Sequence, residues 1–469
     1  MTNWVPDLTG SGPLYQRLAD AIEADIDRGV IGAGAKLPPQ RDLAYDIGAT
    51  VGTVGRAYQL LRERGLVSGE VGRGTYVLGE NIGVTKPEEA DTSVEGTRYA
   101  DAPKDKLRFD STAAPDIGQG AIVADVLSRA AQDHPHEISS YTRDFPDRWY
   151  EAGARWLSRN AFRPAADTIV PTLGTHAAVM AAIAALTTPG DYVAFEHLTY
   201  SQISRSAGLI GRRTALVASD DEGLDPADFE RVCAQKHPKM IFLMPTAQNP
   251  TLVTLSSARR EAIARVAREY NVVLIEDDLY GHLTDDPTPL LAEFAPERTI
   301  IAGGLSKSVA AGLRGGWLSC PPAYRHRIRV AHKMMTGGMP FLLAEVNARL
   351  VLSGQASEIR ERSIAEISAR MAMVRESLTG FSFKSHDKVP FVWLTLPDPW
   401  LSGTFKNACL EHGVLIDDED EFKAGRSERV FHGVRFGVSQ PKRREDIAGG
   451  VGVIRRLLDE GRAGYDSFS

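Results

Sequence analysis

Residues 299–317 read TIIAGGLSKSVAAGLRGGW. The opening TIIA is a short β-branched, apolar run that closes on two glycines, the pattern of a buried strand with a closely packed end. Further runs of the same kind recur upstream: TIVPTLG (168–174), DYVAFEH (191–197), KMIFLMP (239–245) and VVLIED (272–277). Between them lie helical patterns such as SSARREAIARVAREY (256–270). Strands alternating with helices predict an α/β domain built on a largely parallel sheet.

The chemistry-bearing residues sit where these runs end. Lysine is mostly a surface residue, and Lys307 by itself would be read that way. Behind a glycine-rich strand end, however, a lysine is sheltered enough to lose its proton near neutral pH, which an imine-forming lysine requires. Arg314, seven residues on, is within reach of a phosphate. Gly174, Thr175 and His176 end one strand and open the apolar helix AAVMAAIAAL (177–186), so their N–H groups and the helix dipole form an anion cradle. Taken alone, that is ordinary helix capping. Asp277 closes another strand, with Tyr280 three residues later. A buried carboxylate there calls for a cationic partner, and a pyridinium nitrogen would serve. Asn249, before Pro250, would alone be read as shaping a turn.

The chain has 469 residues, with 54 Lys and Arg against 61 Asp and Glu and a net charge of −7. That length calls for at least two domains, and the acidic balance makes any binding to nucleic acid local. Three widely spaced cysteines exclude a disulfide framework or zinc finger and fit a reducing compartment. With no signal-peptide pattern and no apolar run long enough to span a bilayer, a cytoplasmic protein is expected. Residues 79–107 are polar and charged with scattered Gly and Pro, as in a flexible linker. The expected domains are therefore 1–78 and 108–469.

In the first of these, Leu14, Leu18, Ile22 and Ile26 mark one amphipathic helix ending near Gly29. A second follows Pro38 and Pro39 and stops at Gly48. Thr50 is a good N-cap for a third, with Val54, Ala57, Tyr58 and Leu61 on its buried face and Thr53, Arg56 and Gln59 toward solvent. LVSGEVGRGTYVL (66–78) makes two short strands around a tip presenting Arg73. The pattern fits a winged helix-turn-helix, and equally any three-helix module with a hairpin.

The segments PLYQRL (13–18), GAKLPPQRDLA (34–44), TVGRAYQLL (53–61) and GRGTYV (72–77) resemble the winged helix-turn-helix of the GntR family of bacterial transcription regulators. The resemblance implies that the helix from Thr50 lies in the major groove of double-stranded DNA. Arg41 and Thr53 would meet phosphates, Arg56 the DNA surface, and Arg73 the minor groove. Many members carry Arg where this chain has Val51, so one base contact is absent or replaced by contact with a thymine methyl.

In the large domain, Gly174 to His176, Tyr200, Asn249–Pro250, Asp277 with Tyr280, Ser306–Lys307, Arg314 and Arg435 follow the order found in fold-type I pyridoxal-phosphate enzymes of the aspartate aminotransferase family, which residues 108–460 resemble. The resemblance implies pyridoxal 5′-phosphate as cofactor. Lys307 would form its aldimine, Asp277 would hold the ring nitrogen, Asn249 and Tyr280 the ring hydroxyl, and Tyr200 would stack on the ring. Thr175, His176, Ser306 and Arg314 would surround the phosphate, and Arg435 would grip a ligand carboxylate. Tyr141 would reach the phosphate of a partner subunit. Gly304 departs from the family, which commonly has a hydroxyl residue there.

Head, linker and aminotransferase-like domain in this order resemble the MocR subgroup of the GntR family. That implies a homodimeric regulator in which an amino compound displaces Lys307 from the cofactor and so shifts DNA binding. A working aminotransferase with an accessory DNA-binding head is the alternative.

Overall fold

The computed structural model describes Pro6, Leu8 and residues 12–32, 35–64, 66–70, 74–77, 105–427 and 429–467. The chain divides into two units, Met1–Thr92 and Ser93–Ser469. Among the described residues, no helix is long and apolar enough to cross a membrane.

The first unit is a winged helix-turn-helix. Its helices are Leu14–Asp27, Gln40–Asp46 and Val51–Glu63, and its wing pairs Val67–Glu70 with Gly74–Val77 antiparallel. Of the apolar positions expected to face inward, Leu18, Ile22, Val54, Ala57, Tyr58 and Leu61 are all buried in one cluster, while Leu14 and Ile26 are half-buried. Tyr58 keeps its polar end satisfied by donating to Pro38 O at 2.8 Å. At the start of the third helix the Thr50 hydroxyl accepts from Thr53 N at 3.2 Å, the expected cap.

The second unit holds a seven-stranded sheet in the order Ile169–Thr172, Gly316–Ser319, Thr299–Gly304, Val273–Asp277, Met240–Leu243, Tyr192–Glu196, Arg213–Val217. The five strands from Thr299–Gly304 outward pair parallel, whereas Gly316–Ser319 runs antiparallel to both neighbours. Helices cover both faces, and the strands Met240–Leu243 and Thr299–Gly304 are buried throughout, as parallel strands under two helical layers must be. A second, antiparallel sheet orders Phe383–Ser385, Phe391–Thr395, Gly433–Gly437 and Asp417–Asp418, and packs on the long helices Gln355–Ser377 and Arg444–Asp466.

Of the expected linker only its last residues are described, and Leu107 already belongs to the two-residue strand Leu107–Arg108, paired parallel with Val414–Leu415. Parallel sheets bind ligands beyond the carboxyl ends of their strands. Here Asp277 and Gly304 are the last residues of two adjacent central strands.

Candidate active site

Eleven residues singled out by sequence line one cavity of about 210 Å³: Gly174, Thr175, His176, Tyr200, Asn249, Asp277, Tyr280, Ser306, Lys307, Arg314 and Arg435. They come from six separate chain segments. Tyr141 is not among them; it is 91% exposed, beside a different groove formed with residues 333–342. Arg73 lies outside the described residues. In the other unit, Arg41, Thr50 and Arg56 are exposed and Thr53 is half-buried. The Arg56 guanidinium lies 5.3 Å from the centre of the Tyr15 ring.

At one end of the cavity lie the first three residues of the helix Gly174–Leu186. Gly174 has φ 79°, a conformation glycine adopts without steric penalty. Next to it, the Thr175 hydroxyl is buried with no hydrogen-bond partner among the described residues. Arg314 is exposed, and no described carboxylate pairs with it. His176 is held below its ordinary pKa, first by burial and then by the Arg314 charge, so its ring is neutral at pH 7. It reaches Ser206 Oγ at 3.3 Å and meets the Tyr200 ring edge-on at 6.2 Å.

Asp277 lies on the cavity floor, 2% exposed. Burial pushes its carboxyl up to about 7, although Leu279 N–H and the Lys307 charge both pull it down. Its neighbour Asp278 points the other way, as alternate residues at a strand end do, into a two-bond grip by Arg159 at 2.9 Å each. That pair fixes the turn carrying Asp277 and Tyr280.

Lys307 is half-buried, and its Nζ donates to Thr112 Oγ1 at 2.9 Å. Thr112 Oγ1 in turn lies 2.8 Å from Tyr280 Oη, which stands edge-on to Phe391. Ser111, Thr112 and Ala113 also line the cavity. Sequence reading missed all three, because a hydroxyl pair just after a linker carries no motif.

At the far end Arg435 is fully buried. It donates to Asn249 Oδ1 at 2.8 Å and to Asp110 O at 3.1 Å, and it pairs with the Asp417 carboxylate. Asp417 stands directly opposite it on the neighbouring strand. The guanidinium expected to await a ligand carboxylate therefore already holds one from the protein.

Family models agree with this architecture. Residues 14–77 match the bacterial regulatory proteins of the gntR family, and residues 105–430 match aminotransferase class I and II. The chain is 30% identical to the uncharacterized HTH-type transcriptional regulator YdeF of Bacillus subtilis, over 98% of this chain and 97% of that one. The chain belongs to the GntR family, with the MocR architecture. Another relative, the vitamin B6 salvage pathway transcriptional repressor PtsJ of Salmonella typhimurium, is 28% identical over 68% of this chain and 70% of its own. The large domain shares its fold with LysN, an α-aminoadipate aminotransferase from Thermus thermophilus solved with N-(5′-phosphopyridoxyl)-L-leucine, at a TM-score of 0.68, 22% identity, and coverage of 78% of this chain and 94% of that one.

The residues of this MocR-type cavity fit pyridoxal 5′-phosphate. The unpartnered Thr175 hydroxyl, the helix N-terminus and Arg314 make one anion-binding end. Asp277 is a buried carboxylate for which a ring cation would relieve the penalty of burial. Lys307, placed between them, is the primary amine.

Proposed function

We infer that this chain is a transcription regulator whose head binds double-stranded operator DNA and whose large domain holds pyridoxal 5′-phosphate as the sensing group for a small amino compound. The observation that carries the reading is the meeting of an uncommitted phosphate cradle, a buried acid and a lysine in one cavity, in a chain that begins with a GntR-type head.

Bound pyridoxal 5′-phosphate supplies an aldehyde that exchanges reversibly between primary amines. In this reading Thr175, His176, Ser306 and Arg314 bind the phosphate. Asp277 keeps a proton on the ring nitrogen, Asn249 and Tyr280 orient the ring hydroxyl, and Tyr200 covers the ring face. Lys307 is the amine that an incoming ligand replaces. Thr112 accepts the Lys307 hydrogen bond and is the group that steers the freed side chain. A change in the preferred form of the large domain then alters how the heads engage DNA. A homodimer, with the exposed Tyr141 serving a second copy, belongs to the same reading.

Lys307 at hydrogen-bond distance from a hydroxyl also suits proton transfer, which favours a second reading, a working aminotransferase. Two measurements separate these. The protein loaded with pyridoxal 5′-phosphate should show a visible band that borohydride bleaches, and Lys307→Ala should lack it. The same protein should bind DNA flanking its own gene in the presence of non-specific competitor. A bleachable band with DNA affinity no better than for random sequence, and steady conversion of amino donors, selects the enzyme.

A further inference from the structure

Two strands of the large sheet end in a buried acid. Val273–Asp277 ends in Asp277, on the floor of the cavity already described, and Tyr192–Glu196, on the other side of Met240–Leu243, ends in Glu196. Glu196 lines a second cavity, of about 390 Å³, at the carboxyl ends of the outer strands, where parallel sheets take ligands. The other wall of this cavity comes from the antiparallel sheet, through Lys384 and Trp393, and from Arg429 and Phe431 in the loop leading to Gly433–Gly437. None of these five residues lines the first cavity.

Glu196 is 5% exposed, and its carboxylate accepts only from neutral groups, Ser219 Oγ at 3.0 Å and Gln248 Nε2 at 3.4 Å. No described cation pairs with it, and burial pushes it up to about 7. A buried carboxylate in that position gains most from a cation that a ligand brings. The other wall carries the opposite imbalance. Lys384 and Arg429 are exposed, no described carboxylate pairs with either, and the Arg429 guanidinium lies 5.0 Å from the centre of the Phe431 ring. The remaining charged groups of the cavity do not offset this. Asp220 is held by Arg259 at 2.6 Å, Asp221 is exposed and screened by water, and His197 is held below its ordinary pKa, first by burial and then by the Arg429 charge, so its ring is neutral at pH 7. Trp393, 7% exposed, and the half-buried Phe431 add apolar surface.

We propose that this second cavity binds a small zwitterion with an apolar or aromatic body, of the kind a free aromatic amino acid offers, its ammonium on Glu196, its carboxylate on Arg429 and Lys384, and its body against Trp393 and Phe431. The site is separate from the lysine cavity and does not rest on the reading that the latter holds pyridoxal 5′-phosphate. Gln248 stands between the two. Its amide donates to Glu196 and, at 2.6 Å, to Leu198 O, while the next residue, Asn249, lines the first cavity.

The probe is N,N-dimethylphenylalanine, a tertiary amine that cannot form an imine and so leaves the chemistry of the first cavity aside. Full-length protein loaded with pyridoxal 5′-phosphate is titrated with it by calorimetry, in parallel with 3-phenylpropionate, which lacks the ammonium, and with the methyl ester of the probe, which lacks the carboxylate. The zwitterion is expected to bind about tenfold or more tighter than either. Glu196→Gln, which keeps the shape and removes the charge, should weaken the zwitterion by about thirtyfold and leave 3-phenylpropionate unchanged. Lys384→Ala and Arg429→Ala, at exposed positions, should each weaken the zwitterion by about two- to fivefold and the ester not at all. Equal affinities for the three compounds, no binding of the zwitterion, or binding that Lys384→Ala and Arg429→Ala both leave untouched overturns the proposal, even where Glu196→Gln fails to fold. Protein that shows no bleachable band overturns the cofactor reading alone, and the titration of the second cavity stands without it.

Discussion

Lys307 Nζ donates a 2.9 Å hydrogen bond to Thr112 Oγ1, joining the strand-end lysine to a residue 195 positions earlier in the chain. Thr112 is shared with Tyr280, so one hydroxyl sets the position of two side chains that line the cavity. Thr112→Val keeps the shape and removes that hydroxyl. A neutral hydrogen bond contributes about 0.5–1.5 kcal/mol, so affinity for pyridoxal 5′-phosphate should fall about two- to tenfold with the bleachable band retained. Absorbance titration measures it, and an unchanged affinity removes Thr112 from the site.

Asp277 makes the stability of the cofactor-free protein depend on pH. Its folded-state pKa is raised from 3.8 to about 7, chiefly by burial. Over that interval the folded chain holds a proton that the unfolded chain has released. Stability therefore falls as pH rises from about 4 to about 7, by at most about 4 kcal/mol for this group. Glu196, raised to about 7, and Glu276, raised to about 8, act in the same direction. The share due to Asp277 is the difference between wild type and Asp277→Asn. Thermal unfolding from pH 4 to pH 8 should give a shallower decline for the variant, and equal declines would place the buried charge elsewhere.

These two residues also mark what a sequence shows and what it hides. Asp277, Lys307 and Gly174 were legible because each ends an apolar run, and strand ends on one side of a parallel sheet must come together. The head was legible for a similar reason: Val54, Ala57, Tyr58 and Leu61 repeat at helical spacing, and Thr50 stands where a cap is needed. Thr112 and Asp417 were hidden because their roles come from tertiary pairing. Nothing local says that Asp417 lies opposite Arg435, since that register is set across a sheet whose strands are 18 residues apart in the chain.

In the head, Arg56 is exposed beside Tyr15, while the Thr50 and Thr53 hydroxyls lie 2.9 Å apart and engage one another. Arg56→Ala should therefore weaken DNA binding without unfolding the head, and should lower the salt slope by about one if the side chain meets a phosphate. Thr50→Ala should instead cost the head about 1 kcal/mol through the lost cap. A salt titration and a denaturation curve on each variant separate the roles. An Arg56→Ala protein with unaltered affinity and slope would move the DNA surface off this helix.

Gly304 looks from sequence like a lost phosphate ligand, yet the packing gives it another reason. It pairs with Gly316 across the antiparallel edge of the large sheet. A Cβ on Gly304 would come within 2.6 Å of Gly315 O and 3.0 Å of Thr175 Oγ1, so the volume a hydroxyl residue would need is already taken by backbone and by the Thr175 hydroxyl. Gly304→Ser should then lower stability by about 1–3 kcal/mol through overpacking and should not tighten cofactor binding. Thr175→Val should do the reverse, leaving the melting temperature nearly unchanged and weakening pyridoxal 5′-phosphate about two- to tenfold, because its hydroxyl has no other described partner. Melting curves and cofactor titrations on the two variants decide the matter. Tighter binding in Gly304→Ser at unaltered stability would mean that the strand edge can open and that the missing hydroxyl is a true vacancy in the phosphate site.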